Sequence, residues 1–195
     1  MAYIELLGTN RGFELGDLSQ WTASKSYGSN SYGVSTTNTY EGTYKLESRV
    51  YFQKTEEPHV NSSNNKFITG FVPVFAGKNY WYYFWARQYT YTASGGSNTR
   101  ILRLYLDFYD SSYAAVGSQV TLHNAGTDST SYLQFGDMYT TPAGASYVKL
   151  QIYHGINGWI TGSSGNYGLY FDNVSILKQA PAAGGVVYLS DYGVV

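Results

Sequence analysis

The chain has no cysteine, which excludes a disulfide framework, a thiol nucleophile and a zinc–thiolate centre. Charge is scarce too. Asp, Glu, Lys and Arg make up 13% of the residues, and 12 basic against 13 acidic side chains leave a net charge of −1. Such a balanced surface gathers no polyanion, so nucleic acid and anionic membrane are set aside as partners. No apolar run approaches the ~18 residues of a membrane span, and the longest aromatic block is Tyr80 to Trp85. The opening Met1-Ala2-Tyr3-Ile4-Glu5 lacks the basic and apolar regions of a secretory signal, so no export is expected. Helical patterning is also missing, because no apolar period of 3.6 persists for three turns.

Aromatic residues are abundant, at 18% with 22 tyrosines, in a chain of 195 residues. That length suits one β-sandwich. Strand-type runs separated by Gly, Asn, Ser and Pro clusters are expected near Ile4–Leu7, Trp21–Ser24, Tyr44–Phe52, Phe67–Val74, Tyr80–Tyr91, Arg100–Asp110, Gln119–Leu122, Tyr132–Phe135, Tyr147–His154 and Leu169–Leu177. The fold class is therefore all-β, with two antiparallel sheets. Alternation assigns the faces. Leu102, Leu104, Leu106, Phe108, Val148, Leu150 and Ile152 point to the core; in the run from Tyr80 either Tyr80, Tyr82, Phe84 and Ala86 or Trp81, Tyr83, Trp85, Arg87 and Tyr89 could face inward, and the small Ala86 favours the first set.

The opposite faces hold rings beside hydrogen-bonding side chains. Trp81, Tyr83, Trp85, Tyr105 and Tyr153 offer flat platforms for the C–H face of a sugar, and Arg87, Arg103, Asp107, Lys149 and Gln151 offer partners for its hydroxyls. These residues make one patch if the strands 80–91, 100–110 and 147–154 are neighbours in one sheet. The same residues could equally be ordinary cross-strand packing or a protein-docking surface. Catalytic signatures are missing: there is no H-E-x-x-H, G-x-S-x-G or G-x-x-x-x-G-K-[ST] pattern. His59, His123 and His154 lack metal-ligand spacing, and surface or strand-end roles are expected for them. The acids Glu56, Glu57, Asp107, Asp110, Asp128 and Asp137 sit in turn-rich or strand-edge contexts that solvation explains, so the chain is expected not to be an enzyme.

Several segments carry a family likeness. Asn10-Arg11-Gly12-Phe13-Glu14 is followed by Trp21; then come Tyr40-Glu41-Gly42-Thr43-Tyr44-Lys45-Leu46, Ala76-Gly77-Lys78-Asn79-Tyr80 leading to Phe84-Trp85-Ala86-Arg87, the run Pro142 to Leu150, and Tyr170-Phe171-Asp172-Asn173-Val174-Ser175. In this order they resemble the jelly-roll carbohydrate-binding modules attached to xylanases, glucanases and mannanases. The resemblance covers about residues 4 to 178 and implies a jelly roll, a neutral glycan as ligand, and a structural calcium. It places Glu14 and Asp172 as calcium ligands, with backbone carbonyls around Glu41 and Gly42 completing the six to eight oxygens the ion needs.

Residues 1–178 are read as the sandwich, 179–185 as a linker, and 186–195 as a strand-like assembly tail. The tail is too apolar to stay solvated and is expected to pair with another copy or a neighbouring shell or tail protein, or to fold back on its own sandwich. Two functions compete. The first is a virion-associated structural protein of a bacteriophage, decorating a capsid or joined to a tail, with the sugar site retained or lost. The second is the extracellular binding module of a polysaccharide-degrading enzyme. The absent signal, the short chain with its own Met1 and the extra tail favour the first.

Overall fold

The structure, a computed structural model, describes residues 3–7, 13–26, 30–52, 61–92, 98–158 and 165–179. The expected linker and assembly tail lie almost wholly outside the described residues, as do His59, Glu56 and Glu57. Two six-stranded sheets pack face to face as an antiparallel jelly-roll sandwich. The first sheet runs β10 (Leu133–Thr140), β7 (Asn79–Thr92), β12 (Gly165–Gln179), β4 (Lys45–Phe52) and β3 (Ser31–Ser35). The C-terminal end of the central strand β12 also pairs with β1 (Tyr3–Glu5), Tyr3 opposite Gln179. The second sheet runs β2 (Trp21–Lys25), β5 (Asn61–Thr69), β11 (Tyr147–Gly158), β8 (Asn98–Tyr109) and β9 (Val120–Asn124), and β6 (Val72–Pro73) pairs with β11. Among the described residues no helix is long and apolar enough to cross a membrane.

Alternation fills the space between the sheets. Tyr80, Tyr82, Phe84 and Ala86 of β7 face Leu102, Leu104, Leu106 and Phe108 of β8 and Val148, Leu150 and Ile152 of β11, all buried as their patterns require. Each large apolar side chain so removed from water contributes about 1.5–3 kcal/mol.

Three expectations need correction. Phe67–Val74 is not one strand: β5 ends at Thr69, Gly70 and Phe71 intervene, and β6 is separate. β5 also starts in the polar run Asn61–Lys66, which lacks strand-type composition, and β3 has only Tyr32 and Val34 as apolar side chains. Finally, His154 has neither a surface nor a strand-end role. It lies inside β11 with no exposure, because its phase follows that of Ile152 and a polar partner awaits it across the core.

Candidate functional site

The condition for a single aromatic patch is not met. β7 belongs to the first sheet and β8 and β11 to the second, so the outward rows look away from each other across the sandwich. Trp81, Tyr83, Trp85 and Arg87 lie on the outer face of the first sheet; Arg103, Tyr105, Asp107, Lys149, Gln151 and Tyr153 lie on that of the second. Adjacent loops, invisible in the strand patterns, complete the first group.

On the first face, the connection between β3 and β4 folds over the strands. Asp172, the cross-strand partner of Trp85, anchors it: its Oδ2 accepts hydrogen bonds from the Tyr40 (2.6 Å) and Glu41 (3.2 Å) backbone N–H groups, and its Oδ1 one from Asn173 N–H (2.7 Å). So anchored, Tyr40 stacks on Trp85 with centroids 4.2 Å apart and planes 15° apart, and leans on Tyr132 at 5.4 Å. The Tyr132 hydroxyl donates to Asn38 O at 2.8 Å, tying this loop to the β9–β10 connection. Arg87 lies 5.4 Å from the Tyr132 ring and 5.1 Å from that of Tyr170, and it donates to Thr130 O at 3.1 Å. Two loops thus wall an aromatic and cationic surface.

A bulge extends this surface across the sheet. Between Gly168 and Leu169 the register of β12 on β7 shifts, so Tyr89 has no partner in the ladder. The extra residue reverses the alternation, placing Tyr91 inward against Tyr167 (6.2 Å, edge-on). Tyr89 itself stacks on Tyr170 at 4.3 Å and 13°. Cations cap the pair: Lys45 Nζ sits 3.6 Å from the Tyr170 centroid, while Arg49 lies 5.2 Å from the Tyr89 ring and donates to its hydroxyl at 3.0 Å. Burial holds the Lys45 ammonium below the usual lysine range and pushes the Tyr89 and Tyr132 phenols up.

On the second face the sequence-derived candidates lie along the strands β8 and β11. Arg103 donates to Asn124 Oδ1 (2.6 Å) and the Tyr105 hydroxyl (3.1 Å), and it lies 5.6 Å from the Tyr153 ring. Tyr105 meets Tyr153 edge-on at 6.5 Å. Gln119 Nε2 donates to both Asp107 oxygens, at 3.0 and 3.1 Å. A cavity of about 460 Å3 opens elsewhere, at the sandwich edge between Leu6, Leu7, Trp21 and Val72, and no sequence-derived candidate lines it.

Glu14, in the turn before β2, and Asp172, on β12, converge on one loop. Glu14 Oε2 accepts from Thr43 N–H (2.9 Å) and Oε1 from Tyr44 N–H (3.3 Å), next to the backbone that Asp172 holds. Burial raises the Asp172 carboxyl to about 6; its three backbone hydrogen bonds oppose the rise, and the Glu14 charge adds to it. Two hard oxygen donors that repel each other beside an exposed loop fit a cation in chemistry. Among the described residues, however, no three or more His, Asp or Glu side chains are grouped to hold one, so most ligands would have to be backbone oxygens.

Sequence reasoning missed Tyr40, Tyr132, Tyr170, Tyr89, Lys45 and Arg49. Tyr40, Lys45 and Tyr170 do stand in the segments that carry the family likeness, and the outward phase of β4 could have marked Lys45 and Arg49.

No protein-family model and no curated protein matches the chain. Solved structures do resemble it in shape. The enzymatically active domain of tailspike protein 4 from bacteriophage CBA120 superposes with a TM-score of 0.59 at 15% identity, covering 86% of this chain and 20% of the tailspike chain. The CBM22-1–GH10 modules of Clostridium thermocellum endo-1,4-β-D-xylanase 10B, complexed with xylohexaose, give 0.56 at 15% identity, covering 96% of this chain and 30% of that one. A structure of carbohydrate-binding modules from the β-sandwich superfamily gives 0.52 at 13% identity, covering 86% and 60%. The chain therefore spans only a fraction of the first two proteins. Together these define its class: a β-sandwich with the jelly-roll fold of carbohydrate-binding modules.

Proposed function

We propose that this chain is a non-catalytic, virion-associated structural protein, a capsid decoration or tail-associated component of a bacteriophage, that binds neutral glycan on the outer face of its first sheet. The observation that carries the reading is the Tyr40–Trp85–Tyr132 group, a set of rings fixed by Asp172 and the Tyr132–Asn38 hydrogen bond. Rings held in place before binding lose little entropy on meeting a sugar, and Arg87 stands beside them for its hydroxyls. Trp81 and Tyr83 extend the row along β7 at ~7 Å steps, the spacing of alternate strand residues.

The likeness to a phage tailspike domain supports the virion setting. The likeness to a xylanase carrying carbohydrate-binding modules supports a second reading, an extracellular binding module of a polysaccharide-degrading enzyme. A non-catalytic role fits the described acids among those available for chemistry, which have other occupations. Asp107 receives Gln119, Asp110 caps its own turn through Ser112 and Ala114, Asp128 pairs with Arg100 at 3.6 Å, and Asp137 accepts from Met138 N–H. Calcium held by Glu14 and Asp172 would brace the Tyr40 loop, and residues 186–195 would join the sandwich to another copy or to a shell or tail protein.

Screening the purified protein on a glycan array tests the binding reading; a native protein with no hit overturns it. Mass spectrometry of purified phage particles separates the settings: the chain is a multicopy particle component in the first and missing from particles in the second. Removing the residues after Lys178 should keep the fold and release the protein from its particle. Retention of the truncated chain overturns the role given to the tail.

A further inference from the structure

Beyond Tyr109, β8 enters a turn that presents one aromatic ring. Asp110 Oδ1 accepts from Ser112 N–H (2.8 Å) and Ala114 N–H (3.0 Å), while Tyr113 N–H donates to Asp110 O (3.1 Å) and Asp110 N–H to Ala114 O (2.9 Å). At its apex Tyr113 has φ of 64°, a left-handed conformation that suits glycine and is strained for a bulky side chain. The ring gains no core burial from this strain, since Tyr113 remains 55% exposed. It lies against Tyr147 at 5.0 Å and 23° and against Phe71 at 4.7 Å. Phe71, itself 39% exposed, follows the Gly70 break between β5 and β6. Lys149 Nζ stands 3.9 Å from its ring centroid, and Asp107, with Gln119 on its carboxylate, is the cross-strand neighbour of Lys149.

The size and chemistry of this cluster select its occupant. A ring buries at most ~150–250 Å2, so two half-exposed rings fall far short of the ~800 Å2 per partner of a stable protein interface. The centre of such an interface is also poor in charge, whereas here a lysine and an aspartate flank the rings. A pyranose needs what is present: a flat apolar face for its C–H groups and, within one side-chain length, donors and acceptors for its hydroxyls. Lys149 and Asp107 balance in charge, which favours a neutral sugar.

We propose that Tyr113, Phe71, Tyr147, Lys149 and Asp107 form a second saccharide platform on the outer face of the second sheet. The sandwich is then bivalent, with two glycan sites facing in opposite directions. This deepens the glycan-binding reading and rests on it, but it uses a different set of residues.

The test is calorimetric titration with xylohexaose, mannohexaose and cellohexaose, using the native protein, Tyr113→Gly, a Tyr40→Ala/Trp85→Ala double variant and the combined triple variant. Tyr113→Gly relieves the strained turn, so the fold is retained. The expected result is two ligands per native chain, one in each of the first two variants and none in the triple. Native protein alone should precipitate the matching long polysaccharide. One ligand per native chain with no effect of Tyr113→Gly overturns the second platform and leaves the first-sheet site standing. Complete loss of binding in the double variant does the same. No binding by native protein to any of the three sugars overturns both. A native dimer that Tyr113→Gly converts to monomer, with sugar binding unchanged, identifies the face as a self-contact and overturns the platform.

Discussion

His154 of the second sheet and Ser48 of the first are hydrogen-bonded across the interior of the sandwich, with Nδ1 2.7 Å from Oγ. Asn65 completes the group, its Nδ2 donating to Ser48 Oγ at 2.9 Å and to the carbonyls of Ser31 and Arg49 at 3.0 and 3.2 Å. All three side chains are fully buried. The edges of Tyr167 and Phe171 enclose the imidazole at 4.8 and 5.8 Å. A catalytic serine and histidine would need access to substrate; this pair joins the sheets instead.

Stability should therefore depend on pH through His154. Burial pushes its imidazole from 6.5 down to about 3. Between those values the unfolded chain binds a proton that the folded chain excludes, so stability is lost as pH falls from 6.5 towards 3. At pH 5 the loss from this group is about 2 kcal/mol. His154→Phe removes it. The variant should be less stable than native at pH 7, and the gap in melting temperature should narrow as pH is lowered to 5. A constant gap would show that His154 does not titrate in this way.

Calcium should stabilise the native protein through Glu14 and Asp172. An ion bound only by the folded state at 100 times its dissociation constant contributes about 2.7 kcal/mol, or roughly 5–10 °C in a domain of this size. Without it, the raised Asp172 carboxyl, at about 6 against 3.8, makes stability fall as pH rises through that interval. Calcium should suppress the fall, and Asp172→Asn should abolish the response to the ion. Melting curves that are unchanged by chelator over pH 4–7 would remove calcium from this site.

Gly136 should tolerate no side chain. Its φ is 135°, and an added Cβ would overlap the Tyr82 carbonyl oxygen and come within 2.7 Å of the Tyr83 Cα. Backbone on the adjacent strand cannot yield as a side chain would, so Gly136→Ala should push β10 away from β7 at a cost of about 1–3 kcal/mol. Gly77 is the control: its φ of 69° is also positive, but the space around it is open. Thermal melts should rank Gly136→Ala below Gly77→Ala; equal losses would mean that only the dihedral matters.

Tyr40 should matter for ligand more than for folding. Its ring is 43% exposed yet stacked on Trp85. Tyr40→Ala should weaken glycan binding by about tenfold, equivalent to about 1.4 kcal/mol, and change stability by less than about 1 kcal/mol. Titration against an array-identified sugar, paired with a melt, separates these effects. Unchanged affinity would move the site away from the loop.

Strand phase was legible wherever one face is apolar. Leu102 to Phe108 and Val148 to Ile152 could be assigned because a slip of one residue would bury arginine, lysine or aspartate. Polar strands were not legible. Asn65 earns its place in β5 by bonding Ser48 across the core, and nothing local to Asn61–Lys66 announces that partner. Which sheet a strand joins was equally hidden, since β7 and β8 are consecutive and similarly aromatic yet lie in opposite layers. The candidate residues on each face were therefore identified, whereas their division between faces, and the loop residues Tyr40 and Tyr132, depended on crossovers that local pattern does not encode.

The pairing of Tyr3 with Gln179 has a mechanical consequence. The first and last of the described strands lie antiparallel, so the end of β1 at Tyr3 and the end of β12 at Gln179 lie side by side. Tension applied between those ends peels the three β1–β12 pairs apart one after another, whereas force along opposed strands would load them together. An isolated short pairing offers little resistance to peeling. The sandwich can therefore sit at the tip of a tether fastened through one end, but spliced into a load-bearing fibre by both ends it would give way first at β1.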